Sequence, residues 1–122
     1  MILFDTSVWV EHLRNGHPMV ESLLKTNQVL GHPLVIREIA LGRIANRVEL
    51  LNLLANLASA AVATHKETMF LIETHELWGR GIGLIDAQLL AAALLTPGAT
   101  LWTFDKRLKV VASRLECAYE EK

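Results

Sequence analysis

Short apolar runs recur along this chain, each followed by a longer segment carrying its own helix-start signal. That alternation constrains the fold more than any other feature. Residues 2–4, 28–30, 60–63, 100–104 and 117–119 read as strands. Runs this short, without polar alternation, suit strands buried on both faces, as in a parallel sheet. Residues 7–13, 18–25, 33–42, 47–57, 64–77, 86–95 and 106–114 read as helices, with a glycine loop over 79–83. Pro33 stands in the first turn of its segment and Gly42 at the end, the usual asymmetry of helix ends. Thr64-His65-Lys66-Glu67 has the spacing of a capping box, in which Thr and Glu satisfy each other's orphan backbone donors. Strands alternating with helices predict an α/β fold: a three-layer α/β/α arrangement with a central, mostly parallel sheet of four to five short strands.

The 122 residues contain no repeat, low-complexity tract or Pro/Gly-rich linker, so a single domain over 1–122 is expected. An apolar fraction of 52% argues against disorder. The formal charge of −1 excludes a module that binds nucleic acid, or a membrane surface, by bulk positive charge. Cys117 is the one cysteine, which excludes an internal disulfide framework and a cysteine-based zinc site. The most membrane-like stretch, residues 50–63, is too short to span and contains Asn52, Asn56 and Ser59. The N-terminus lacks the basic region of a secretory signal. No membrane association and a cytoplasmic location are expected.

Of 13 acidic residues only three are aspartates: Asp5, Asp86 and Asp105. Taken singly, each reads as a helix N-cap, where Asp is favoured. Together they suggest more. Asp5 and Asp105 each follow a predicted strand, and in an open parallel sheet the residues just past the strand ends converge on one crevice. Asp86 can reach that edge from a helix N-terminus. Glu38 shares a helical face with Leu34, Val35, Leu41 and Gly42, and a carboxylate on an inward face needs a partner, a proton or a metal. A buried Arg would serve as well as a cation. Four convergent carboxylates repel one another unless cations neutralise them. Oxygen donors of this kind select Mg²⁺, with Mn²⁺ as the alternative. The natural chemistry of such a site is phosphodiester hydrolysis, with the metal activating water and stabilising charge on phosphorus.

These residues carry a resemblance. Ile2-Leu3-Phe4-Asp5-Thr6-Ser7-Val8-Trp9 resembles the opening motif of PIN-domain proteins, specifically the VapC-type toxins of prokaryotic toxin–antitoxin pairs. His32-Pro33-Leu34-Val35-Ile36-Arg37-Glu38, Gly83-Leu84-Ile85-Asp86-Ala87-Gln88 and Leu101-Trp102-Thr103-Phe104-Asp105-Lys106-Arg107-Leu108 are similar to the second, third and fourth motifs, in order and at family-like spacing. The resemblance implies a PIN-like fold and a metal-dependent endoribonuclease with Asp5, Glu38, Asp86 and Asp105 as its catalytic, metal-holding quartet. It implies RNA products with 5′-phosphate and 3′-hydroxyl ends, a homodimer, and a cognate antitoxin as partner. Ser7 and Thr103 match small polar positions beside the quartet and are expected to support it from behind.

Arg80, in the glycine loop, and Lys106 and Arg107, beside the fourth acid, are candidate RNA-backbone contacts, against the plainer reading of solvated surface charge. The loop Gly79-Arg80-Gly81-Ile82-Gly83 lacks the last glycine and the preceding strand of a dinucleotide site. The five histidines show no zincin spacing. His32, before Pro33, and Cys117 read as structural, and Trp9, Trp78 and Trp102 as packing residues. Leucines on more than one side of the helix over 47–57 suggest a dimer seam or an antitoxin groove. Two alternatives stand beside the nuclease. A small phosphatase would use Asp5 as nucleophile, but position 7 is Ser where that chemistry usually has a second Asp. A non-catalytic PIN-like module would only bind a partner.

Overall fold

In the computed structural model, which describes residues 1–121, the first strand already sits at the centre of the molecule. Lys122, the last residue of the expected domain, lies outside the described residues. Strand β1 (Ile2–Phe4) pairs on one side with β2 (Val29–Gly31) and on the other with β4 (Thr100–Trp102); β3 (Ala58–Ser59) pairs with β2. The sheet order is β3-β2-β1-β4 and every pairing is parallel. Ile2 lies opposite Val29 and Thr100, and Leu30 opposite Ala58. β1 and β2 are buried at every residue, which is why their sequences are continuous apolar runs rather than alternating ones.

Helices fill the crossovers. α1 (Thr6–Asn15) and α2 (Pro18–Lys25) lie between β1 and β2, and α3 (Pro33–Ala40) and α4 (Arg47–Ala55) between β2 and β3. α5 (His65–Thr74) and α6 (Leu84–Leu95) lie between β3 and β4, and α7 (Lys106–Arg114) follows β4. The chain steps outward from β1 to β3, then returns past β1 to β4. Right-handed crossovers place the outward and returning helices on opposite faces of the sheet. The packing agrees: α1 touches α3 and α3 touches α4, whereas α5 packs on α6 and α6 on β4. This is the expected three-layer α/β/α architecture.

The core is built where those layers meet. Phe4 packs against Trp9 and, edge-on, against Trp102, with ring centroids 5.3 and 5.2 Å apart. From the other face α6 buries Leu89, Leu90 and the run Ala91-Ala92-Ala93. Helix starts follow the sequence signals. Thr64 and Glu67 form the capping box of α5, and Asp5 and Asp105 cap α1 and α7. His17 and His32 cap α2 and α3, each accepting a backbone N–H on Nδ1 just before a proline at the first helical position.

Several expectations shift. The strand read at 60–63 is β3 at Ala58–Ser59; Ala60 only continues the ladder through its N–H to Gly31. The run from Leu57 to Ala63 has no Gly, Pro, Asn or Asp to mark a turn, so its register is set by β2 and not by local sequence. The strand read at 117–119 is a single parallel bridge between Leu101 and Ala118. α6 starts at Leu84 with Gly83 as its N-cap, placing Asp86 in the third helical position. Trp78 is exposed, while Trp9 and Trp102 are buried. In α4 only Leu54 is buried, and Val48 and Leu53 are exposed; α5 and α6 also expose apolar residues, at Phe70, Leu94 and Leu95. No helix among the described residues is long and apolar enough to cross a membrane.

Candidate active site

β1 and β4 are adjacent strands whose crossovers leave in opposite directions. The carboxyl ends of such a pair leave a crevice, the usual ligand position in an open α/β sheet. A cavity of about 180 Å³ lies there, lined by Asp5, Glu38, Asp86 and Asp105 together with Thr6 and Ser7. A larger cavity of about 520 Å³ between α5 and α6 is lined mainly by apolar groups such as Phe70, Leu71, Leu94 and Leu95, and by none of the four acids.

Asp5 is the most enclosed of the four, at 6% exposure. Its N–H bonds to the Trp102 carbonyl, tying the end of β1 to β4. Oδ1 accepts the Ser7 hydroxyl at 2.5 Å and the Val8 N–H at 3.2 Å. Oδ2 accepts the Thr103 hydroxyl. Both hydroxyls are themselves held by the β4 side: Ser7 Oγ accepts the Phe104 N–H at 3.0 Å and Thr103 Oγ1 the Asp105 N–H at 3.0 Å. Two relays thus run from consecutive backbone N–H groups after β4, through one hydroxyl each, to the two oxygens of one carboxylate. Burial raises the Asp5 pKa above the ordinary aspartate value; the bonds from Ser7, Thr103 and Val8 oppose this, and the charge of Asp86 adds to it.

Asp86 is half-buried, and its Oδ2 accepts the Gly83 N–H at 3.1 Å. Its pKa is raised by burial first, held back by the Gly83 bond, and raised further by the charges of Asp105 and Glu38. Asp86 is therefore electrostatically coupled to all three other acids. Glu38, also half-buried, accepts the Thr6 hydroxyl on Oε1 at 2.5 Å. Asp105 is exposed, and its Oδ1 accepts the N–H groups of Arg107 and Leu108 at 2.9 and 3.0 Å. Sequence reasoning missed Thr6, whose one signal is its place between Asp5 and Ser7 at the start of α1. Of the basic candidates, Arg80 donates through Nε to the Glu76 carbonyl at 2.9 Å, while Lys106 and Arg107 are exposed in the first turn of α7.

The N-cap reading and the cluster reading of the aspartates hold at once. Asp5 and Asp105 cap their helices and Asp86 closes back on Gly83, yet all line one cavity. Among the described residues Asp86 Oδ1, Asp105 Oδ2 and Glu38 Oε2 accept no hydrogen bond. As placed, no three His, Cys, Asp or Glu side chains among the described residues stand close enough together to hold a metal ion. The donor set itself, free carboxylate oxygens in one cavity with two pKa values raised partly by mutual charge, fits a hard divalent cation.

Residues 2–114 match the family model described as "PIN domain". The chain belongs to the PIN-domain family. Within it the similarity is to VapC-type members: the chain is 49% identical to Ribonuclease VapC32 of Mycobacterium tuberculosis, in strain CDC 1551 / Oshkosh and equally in strain ATCC 25618 / H37Rv. Each alignment covers 121 residues, which is 99% of this chain and 98% of the relative.

Proposed function

We propose that this protein is a divalent-metal-dependent endoribonuclease, the toxin of a VapBC-type toxin–antitoxin pair, working at Asp5, Glu38, Asp86 and Asp105. The observation that carries the reading is the convergence of all four acids on one cavity at the β1/β4 crevice. The name of the relatives, Ribonuclease VapC32, supports the same activity. Mg²⁺, or Mn²⁺ in its place, would be held by these four carboxylates and when bound would supply activation of water and stabilisation of charge on the scissile phosphate. Ser7 and Thr103 fix Asp5 by donating to one oxygen each, and Thr6 fixes Glu38. Burial raises the proton affinity of Asp5 and Asp86, and the charge of neighbouring acids adds to it, so positive charge brought to the cluster is favoured.

A homodimer, a cognate antitoxin and a cytoplasmic site of action complete the reading. The exposed apolar residues of α5 and α6 favour a protein partner over free solvent. The test is cleavage of RNA by purified protein, wild type against Asp86→Asn, with Mg²⁺ and with excess chelator. Cuts with 5′-phosphate and 3′-hydroxyl ends are expected from wild type with Mg²⁺ alone. Full cleavage by Asp86→Asn, or in chelator, overturns the reading.

A further inference from the structure

We propose that Arg107 contacts an RNA phosphate flanking the scissile one, and that Gly81 positions Arg107 for this by leaving room for its side chain; the proposal rests on the nuclease reading. Four observations lead to it. Arg107 and Lys106 place two cations in the first turn of α7, which holds no acidic residue. Asp105, the N-cap, is the acid at that helix end, and its Oδ1 is taken up by the N–H groups of Arg107 and Leu108 and not by the Arg107 guanidinium. Despite the nearby acids, Arg107 makes no ion pair among the described residues. Its aliphatic stem and guanidinium instead lie directly over Gly81: a Cβ built there would stand 2.5 Å from Arg107 Cδ and 2.9 Å from Nη1. Gly81 is left-handed, at φ +78°.

The placement matters because each anchor leads to an acid. The Arg107 N–H bonds Asp105, and the loop beneath its side chain runs into Gly83, whose N–H bonds Asp86. The guanidinium thus lies between α7, whose N-cap is Asp105, and the loop that leads through Gly83 to Asp86. A polyanion entering that cavity requires a counter-charge at its edge, and a planar guanidinium suits phosphate. Arg80, the arginine of the glycine loop itself, is already engaged by the Glu76 carbonyl.

Steady-state cleavage of a short RNA over a range of salt tests the pair. Arg107→Ala is expected to raise KM about tenfold with kcat changed less than about threefold, since it removes binding shared by ground and transition states. It should also reduce the salt slope of log(kcat/KM) by about 0.7, one single-strand phosphate contact. Arg107→Lys keeps the salt slope while KM falls between the two. Gly81→Ala raises KM in the wild-type background and adds nothing in the Arg107→Ala background. Gly79→Ala is the control for backbone strain, since Gly79 has φ +71° and open space around its Cβ direction; its KM stays at wild type. An unchanged KM and salt slope in Arg107→Ala overturns the phosphate contact. A Gly81→Ala effect that persists without Arg107, or that Gly79→Ala reproduces, overturns the positioning role. Absence of cleavage by wild type with Mg²⁺ overturns the nuclease reading itself.

Discussion

β1 and β4 lie side by side, are three residues long, and each leads into a helix through a capping aspartate. The two ends nevertheless differ in kind. Asp5 follows Phe4 directly, is buried, and has both oxygens occupied by donors. Asp105 is carried clear of β4 by Thr103 and Phe104, is exposed, and accepts only the N–H groups of its own helix. Spacing of two residues turns one cap into a desolvated, charge-coupled carboxylate and leaves the other in water. Thr103 links them, receiving the Asp105 N–H and donating to Asp5.

The comparison breaks most readily at its buried end. Asp5→Asn and Asp86→Asn should each lower RNA cleavage by about 10³-fold or more, corresponding to about 4 kcal/mol of transition-state stabilisation. Asp86→Asn should also leave thermal stability unchanged or raised. Its folded pKa lies above the unfolded value, so ionisation at neutral pH opposes folding, and the amide removes that penalty. A lower melting temperature would contradict this. Asp105→Asn should lose less, about tenfold to a hundredfold, because Asn still caps α7 and the position is solvated. A loss equal to that of Asp5→Asn would erase the distinction between the two ends.

Next in size is the link itself. Thr103→Val should cost about 1–3 kcal/mol of stability by leaving the buried Asp5 Oδ2 without its donor and the Asp105 N–H without its acceptor, read by chemical denaturation. Ser7→Ala combined with it should be non-additive, since both hydroxyls hold the same carboxylate.

The smallest effect lies at the neighbouring strand end, after β2. Burial first, and then the charge of Arg37, lowers the His32 pKa below its ordinary 6.5. The fold therefore favours neutral His32, and its stability contribution is fully present above pH 6.5 and declines as the unfolded chain takes up a proton below it. The raised Asp5 and Asp86 act with the opposite sign, stability rising as pH falls through their folded pKa values. Denaturation curves at pH 7.5 and 5.5 should show His32→Asn, which keeps a capping side chain, losing less on acidification than wild type.

The alternation of apolar runs and capped segments was enough to read the layer order, because parallel strands buried on both faces leave unmistakable local patterns. The four acids were legible because three of them stand immediately beside strand or loop boundaries. What was not legible depends on distant partners. Thr6 meets Glu38 across 32 residues. Leucine content alone does not distinguish α6, buried along much of its length behind β4, from α4, which buries Leu54 alone; the alanine run of α6 and the Arg47, Glu49 and Asn52 of α4 are the local difference. Asp86 as third helical residue and Asp86 as N-cap give nearly the same sequence signal, and the difference of three positions is resolved only by Gly83 as the N-cap.

The two hydroxyl relays join residues 97 and 98 positions apart. A chain still being synthesised and stopped short of Thr103 has no β4 beside β1, no donor for Asp5 Oδ2 and no Asp105. Translation from the N-terminus therefore delivers the first acid at once and withholds its setting until the last fifth of the chain has emerged. Chain topology alone keeps the centre unassembled on the ribosome that is making it.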